Sequence, residues 1–342
     1  MVKARAVIFD ASQRCAVLDV RLREPGPDEV LIRTAWSGVS AGTELSLVRG
    51  RLSWGPFPLC TGYQGTGIVE EIGSDVTCLT PGDRVYFRSN RGMQLCDATQ
   101  VSCVSGAHCS HVIATPGAPY GCALLPSGVA MDVGSLFVLP AVGLAGVEMV
   151  QPRLSQVVVV LGCGPIGLGV VSACSHRGCT VVAVDRNERR LRMAEALGAD
   201  FIVHAGSADV GEELRRSAPQ GADVVFECTG LPECIETAVS LCRTGGVLVW
   251  QGNYGSEPLR FHFLPAHAKR LTMYFPCDDG GPACRTKVLR QMASGALPWQ
   301  MCVTHRIPSE EAPEFFHRLN AGELPDLVCA VVKWQGEGAQ KA

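Results

Sequence analysis

Two kinds of hydrophobic periodicity divide the chain. Up to about residue 125, short apolar stretches at 30–35, 67–72 and 84–87 alternate with Gly, Pro and Asp punctuation, which predicts strands joined by turns. From Gln156 onward, apolar runs alternate with helix-period segments, the signature of a parallel sheet built from βαβ units. The runs at 157–161, 180–184, 201–203, 223–227, 246–250 and 271–275 predict six strands, which suits a doubly wound α/β sheet. Two more helical patterns follow, near 285–293 and at 309–320, and then an apolar run at 327–332. In the second of these helices Ala312, Phe315, Phe316 and Leu319 recur at helical spacing after Ser309, so that face is expected to pack inward. These last elements do not continue the βαβ alternation and are assigned back to the first domain. The expected organisation is therefore a β-rich domain of residues 1–127 and 275–342, interrupted by a parallel-sheet domain of residues 128–274. The polar tail after Trp334 is expected to fray.

A length of 342 residues fits two domains of ordinary size. Lys plus Arg number 30 and Asp plus Glu 33, a net charge of -3, so the basic excess that phosphate neutralisation along nucleic acid demands is missing. With 47% hydrophobic and 18% charged residues, the composition is that of a folded globular protein. Lys3, Arg5 and Asp10 interrupt the first ten residues and no run approaches the ~20 apolar residues of a membrane span, so neither a signal peptide nor a membrane partner is expected, and the expected location is the cytoplasm. The 17 cysteines are scattered along a long chain, which predicts buried thiols rather than a disulfide framework.

The clearest chemistry follows the first strand of the parallel sheet. Gly162, Cys163, Gly164, Pro165, Ile166 and Gly167 form a Gly-x-Gly-x-x-Gly between strand and helix, and Asp185 stands at the end of the next strand, 18 residues past Gly167. This is the dinucleotide-binding pattern: a turn that needs glycine, a helix N-terminus for the pyrophosphate, and an acid for the ribose. Asp185 accepts hydrogen bonds from an unmodified ribose and repels a 2′-phosphate, which favours NAD; Arg186 beside it keeps NADP open. Glu227, Cys228, Thr229 and Gly230 follow the fourth strand, and Gly252, Asn253 and Tyr254 the fifth, at strand ends where such sheets bind ligands. They are candidate nicotinamide neighbours, although for Asn253 and Tyr254 a plain turn-forming role stands equally. His262, His267, Lys269 and Arg270 lie just beyond and are read as solvated surface residues.

With that motif in place, several segments together resemble the medium-chain dehydrogenase/reductase superfamily over nearly the whole chain. They are Gly38-Val39-Ser40-Ala41-Gly42-Thr43-Glu44, Gly62-Tyr63-Gln64-Gly65-Thr66-Gly67-Ile68-Val69-Glu70, Pro81-Gly82-Asp83-Arg84-Val85, the glycine motif and 304–313. Segments 227–230 and 304–313 look most like the polyol, threonine and sugar-alcohol branch. The Gly-x-Ser-x-Gly-Thr-Glu wording is similar to that of a zinc-free subgroup that includes hydroxyethyl (bacterio)chlorophyllide dehydrogenases. The resemblance implies a GroES-like catalytic domain around a Rossmann domain, an NAD(P)-dependent alcohol dehydrogenase or reductase activity, and a homodimer or homotetramer.

This chain departs from the family's zinc alcohol dehydrogenases at the metal. The places of the Cys, the His-Glu pair and the later Cys or Glu are held by Ala41, by Tyr63 with Gln64, and by Leu139, none of which supplies an imidazole, thiolate or carboxylate. No catalytic zinc is expected. In the stretch of the family's structural zinc, Cys96, Cys103 and Cys109 lack Cys-x-x-Cys pairing; His108 or His111 would be needed to complete a set, and cysteines that merely fill a loop are the expectation.

Without the metal, a side chain has to manage the proton of the carbinol oxygen. By resemblance Tyr63 takes the place of the missing histidine, where it either exchanges that proton or only fills the void. Thr43 holds the place of the family's proton-relay hydroxyl, and Glu44, grouped with Tyr63 and Thr43 as a catalytic candidate, follows it where the family more often has a structural acid. Trp54, Phe57 and Gln64 are candidate substrate contacts, with Trp54 and Phe57 alternatively two aromatics pinned into the core. The leading expectation is an oxidoreductase that interconverts a secondary alcohol and a ketone on a sugar, cyclitol or similar biosynthetic intermediate. A zinc-free quinone or enoyl reductase and a non-catalytic nucleotide-binding protein are the alternatives.

Overall fold

The computed structural model describes residues 1–206 and 209–334, so the expected frayed tail lies outside the described residues. The chain divides into two compact units. One comprises residues 1–137, 292–294 and the segment from 303 onward; the other comprises 138–291 and 295–302.

The second unit is the βαβ part. Its six strands lie side by side in the order Phe201–His204, Thr180–Asp185, Val157–Leu161, Ala222–Glu227, Cys242–Trp250, Thr272–Tyr274, every adjacent pair parallel. In sequence terms that order is 3-2-1-4-5-6, a doubly wound sheet whose direction of winding reverses beside Val157–Leu161. The valine run of that strand is buried nearly throughout because helices cover both faces of a parallel sheet. Val159, Val182, Val225, Leu248 and Ile235 form the heart of the core on one side. Helix Val138–Val150 lies directly on helix Pro165–His176, since side chains at Gly143 and Gly169 would collide with Ile166 O at 2.6 Å and Pro140 Cα at 2.7 Å.

The first unit is β-rich, as its punctuation implied. A seven-stranded sheet runs Cys122–Leu124, Arg84–Phe87, Gly65–Ile72, Val30–Val39, Cys329–Lys333, Val303–Pro308, with His111–Ala114 also pairing on Val30–Val39. A five-stranded sheet is built round an antiparallel hairpin of Val2–Phe9 and Cys15–Leu22. Neither hairpin strand was expected, because lysine and arginine interrupt their apolar residues. After a 3-10 turn at Ser309–Glu311, helix Ala312–Ala321 buries Ala312, Phe315, Phe316 and Leu319, the face its spacing indicated.

The chain returns to the first unit, with boundaries that differ from 127/128 and 274/275. Residues 128–137 stay with the first unit, where Thr66 Oγ1 donates to Met131 O (2.7 Å), Arg84 Nη2 to Val129 O (2.6 Å) and Arg306 Nε to Asp132 Oδ2 (2.8 Å). Helix Gly281–Ser294 belongs for most of its length to the second unit. Its start abuts helix Val138–Val150, an added Cβ on Gly280 lying 3.0 Å from that of Ala145. Helical periodicity shows that a face is buried and not against which partner, which is why the assignment of this helix failed. Among the described residues no helix is long and apolar enough to cross a membrane. The 17 cysteines are free thiols, ten of them buried.

Candidate active and cofactor sites

In the second unit the chain leaves strand Val157–Leu161 through Gly162, whose φ of +89° is open to glycine at no steric cost. A side chain there would also meet Thr229 N at 3.0 Å, and one at Gly167 would meet Gly162 O at 1.9 Å. At Gly164, in contrast, an added Cβ would meet nothing within 4 Å: this is the face left clear for a ligand. Gly164 is the N-cap of helix Pro165–His176 and offers no side-chain cap, so Pro165 and Ile166 begin a helix whose first-turn N–H groups remain for an anion. Asp185 ends its strand beside this loop. Its Oδ2 accepts from Cys163 N (2.7 Å) and its Oδ1 from Asn187 N (2.8 Å), which aims the carboxylate while leaving it partly exposed; Arg186 is exposed. Burial, reinforced by the charge of Asp185, keeps the Cys163 thiol protonated. The cradle therefore fits a dinucleotide: Gly162, Gly164, Pro165, Ile166 and Gly167 for the pyrophosphate, Asp185 for the ribose.

The two neighbouring strand-end loops are tied together by Glu227, expected from the sequence as a nicotinamide neighbour and found as a hub of hydrogen bonds. Its carboxylate is buried and accepts from Thr229 N (2.9 Å), the Thr229 hydroxyl, Gly230 N (3.1 Å) and the Tyr254 hydroxyl. Its carbonyl accepts from Gly252 N (2.8 Å). Burial first, then the hydrogen bond and charge of Glu227, push the Tyr254 phenol far up, so Tyr254 stays a donor. Cys228 and Thr229 are thereby brought against Gly162 and Gly167. The side chain of Asn253 closes its own turn by accepting from Gly255 N (2.8 Å), the structural role allowed for it. Lys269 was read as solvated, yet its Nζ donates to the carbonyls of Val239 (3.0 Å), Ser240 (2.6 Å) and Cys242 (2.6 Å), capping a helix end. His262 is exposed and pairs with Glu236.

The first unit holds a cluster of hydroxyls. Helix Ala41–Val48 begins after Ser40, whose Oγ does not cap the helix but accepts from the Tyr63 hydroxyl (2.5 Å). The Thr43 hydroxyl also favours the ionised form of the Tyr63 phenol. Burial raises the Tyr63 phenol above the ordinary tyrosine range; the Ser40 and Thr43 hydroxyls pull it down, the Glu44 charge adds to the rise, and the Arg88 guanidinium opposes it.

Behind this cluster Glu44 is 1% exposed and fully engaged: its Oε1 accepts from Ser40 N (2.7 Å), its Oε2 from Thr61 Oγ1 (2.7 Å) and from His108 Nε2 (2.9 Å). Trp334 Nε1, a donor only, gives its proton to Ser37 Oγ (2.8 Å), so Ser37 spends its own proton on His108 Nδ1 (2.7 Å). His108 is thereby assigned its proton on Nε2, where Glu44 receives it. The catalytic role considered for Glu44 is corrected: with three buried donors on its carboxylate it is a structural acid. Gln64 is fully buried, its carbonyl accepting from Gly38 N (3.0 Å), and so is not open to substrate in this conformation. Trp54 is exposed and Phe57 packs on the core of its own unit.

The residues do not fit zinc. Ala41 and Leu139 are hydrocarbon, and the Tyr63 hydroxyl donates to Ser40 Oγ. His108 has both ring nitrogens occupied, and His111 lies between Ser110 Oγ (3.0 Å) and Glu70 Oε2 (3.4 Å). Among the described residues no three His, Cys, Asp or Glu side chains are grouped to hold a metal ion.

A GroES-like β-unit interrupted by a doubly wound dinucleotide unit defines an oxidoreductase of the alcohol dehydrogenase class. Residues 26–133 match the alcohol dehydrogenase GroES-like domain, and residues 165–287 match the zinc-binding dehydrogenase family. The chain is 29% identical to sorbitol dehydrogenase of Gallus gallus, covering 88% of each chain, and 27% identical to D-xylulose reductase of Saccharomyces cerevisiae, covering 94% of this chain and 96% of that one. A structure from Sinorhizobium meliloti 1021, solved bound to NADP, superposes with a TM-score of 0.82 at 23% identity over 97% of this chain and all of that one. The chain belongs to the medium-chain dehydrogenase/reductase superfamily. Within it, this is an NAD(P)-dependent alcohol or polyol dehydrogenase/reductase.

Proposed function

We propose that this enzyme interconverts a secondary alcohol and a ketone on a sugar, cyclitol or similar biosynthetic intermediate, with NAD(H) preferred over NADP(H) and without catalytic zinc. The observation that carries the reading is the Tyr63–Ser40 hydroxyl pair with Thr43 beside it: by resemblance Tyr63 takes the place of a metal-binding histidine, and among the described residues no group of His, Cys, Asp or Glu could hold a metal ion. When bound, the nicotinamide dinucleotide supplies the hydride acceptor or donor. In the reductive direction Tyr63 Oη gives its proton to the oxygen of the nascent alcohol and regains one through Thr43 or Ser40. In oxidation the same proton travels the other way. The upward displacement of the Tyr63 phenol keeps it protonated near neutrality, so ketone reduction is the better matched direction. Asp185 supports NAD, since a 2′-phosphate would approach a carboxylate already fixed by Cys163 N and Asn187 N.

One assay series tests this: alcohols, ketones and enones with each cofactor, with and without chelator, alongside elemental analysis. Turnover of secondary alcohols or ketones with NAD(H), indifferent to chelation, at well under one zinc per chain is expected. Loss of activity on chelation with recovery on adding zinc would overturn the metal-free reading. Turnover confined to enones or quinones would replace it with the quinone or enoyl reductase, and cofactor binding with no turnover of any of these substrates would leave a nucleotide-binding protein.

The same reading includes a homodimer or homotetramer. Phe275, which follows the edge strand Thr272–Tyr274, is 66% exposed, and Phe263 and Leu264 on helix Phe263–Ala268 are 64% and 73% exposed, large apolar side chains suited to cover by a second copy. A monomeric mass by sedimentation at micromolar concentration would refute it.

A further inference from the structure

Arg88 immediately follows strand Arg84–Phe87 and is only 6% exposed, unusual for an arginine. Its backbone N donates to Gly121 O (3.0 Å), which anchors it to the segment carrying Tyr120. Its guanidinium carbon lies 5.5 Å from the centroid of the Tyr63 ring and 5.1 Å from that of Tyr120, so the planar cation is flanked by two tyrosine rings.

We infer that Arg88 is a positioning residue for the acid-base chemistry of Tyr63: clamped against Tyr120, its guanidinium holds the Tyr63 ring in place and its permanent charge stabilises the phenolate. The inference rests on the reading of Tyr63 as the group that exchanges the substrate's proton. Among the described residues, the charged and titratable groups that act on that phenol are these. Glu44, from helix Ala41–Val48, carries a negative charge that opposes ionisation, with His108 behind it spending its Nε2 proton on Glu44. Ser40 and Thr43, at the start of the same helix, offer hydroxyls, and Tyr120 lies against Arg88. Arg88 is the cation that faces the phenol, and its contribution favours the ionised form. A phenol that must both give and regain a proton cannot be left to burial and a neighbouring carboxylate alone, because both drive it out of reach of neutral pH. An arginine stays charged throughout the working range, so its effect is constant.

The test separates charge from shape in the whole protein, before any substrate is added. The chain has five tyrosines, so subtracting the ultraviolet phenolate titration of Tyr63→Phe from that of the parent isolates the ionisation of Tyr63. Arg88→Gln keeps a planar polar group without charge, whereas Arg88→Lys keeps the charge without the plane. R88Q is expected to move the Tyr63 ionisation upward by about one pH unit, and the pH limb of turnover with it, while R88K holds both within a few tenths. If R88Q does not fold, R88K still decides, since the charge it retains has to hold the ionisation in place. An ionisation that stays put in R88Q, or one that moves equally in R88K, would overturn the proposal. If Tyr63→Phe retains full turnover while R88Q still shifts the phenol, the catalytic reading of Tyr63 fails and the coupling to Arg88 stands.

Discussion

Replacing Tyr63 by phenylalanine lowers turnover by about 10²–10⁴-fold, the range lost when a positioned proton donor is removed. The ring keeps its place beside Arg88, while the bond from its hydroxyl to Ser40 disappears. Dinucleotide affinity stays within about twofold, because the cradle of Gly162, Gly164 and Asp185 belongs to the other unit and to other strands. Steady-state kinetics give the first quantity and titration of nicotinamide fluorescence the second. Undiminished turnover in this variant would make Tyr63 a filler of the space a metal would take.

The second large effect is on stability. Glu44→Ala is expected to destabilise the first unit by about 3–5 kcal/mol, the magnitude found when one member of a buried polar network is deleted. Ser40 N, Thr61 Oγ1 and the His108 Nε2 proton all lose their acceptor, and the threonine and histidine are fully buried. Glu44→Gln should cost less, since one amide oxygen still accepts while the amide nitrogen faces a donor. Urea unfolding followed by tryptophan emission reads this through Trp334, whose indole belongs to the same network. A midpoint unchanged in the alanine variant would show that the network contributes no net stability.

Much of this architecture was legible in advance, for reasons that differ between the units. The valine-rich strands Val157–Leu161 and Thr180–Asp185 announce themselves because a parallel strand buried on both faces admits no polar alternation. The Gly162–Gly167 loop was legible because crowding at Gly162 and Gly167 admits only glycine, a constraint written within six consecutive positions. What stayed hidden is contact at long range. Ser37, Glu44, His108 and Trp334 make one hydrogen-bonded chain from three separated stretches of the sequence, and no local pattern signals it. The same holds for Glu227 with Tyr254, and for Arg88 between Tyr63 and Tyr120. Glu44 was misread for the same reason: its neighbour Thr43 suggests chemistry, and only the fold reveals that its own carboxylate is already spent.

The late return of the chain has a consequence for how the protein is made. Strands Val303–Pro308 and Cys329–Lys333 complete the sheet of the first unit, and Trp334 closes its polar network, yet these residues leave the ribosome after the whole inserted dinucleotide unit. The nascent N-terminal third must therefore wait, with the edge of Val30–Val39 still lacking Cys329–Lys333, until translation has run past residue 333. The hydroxyl cluster acquires its support from residues made after every residue of the dinucleotide unit.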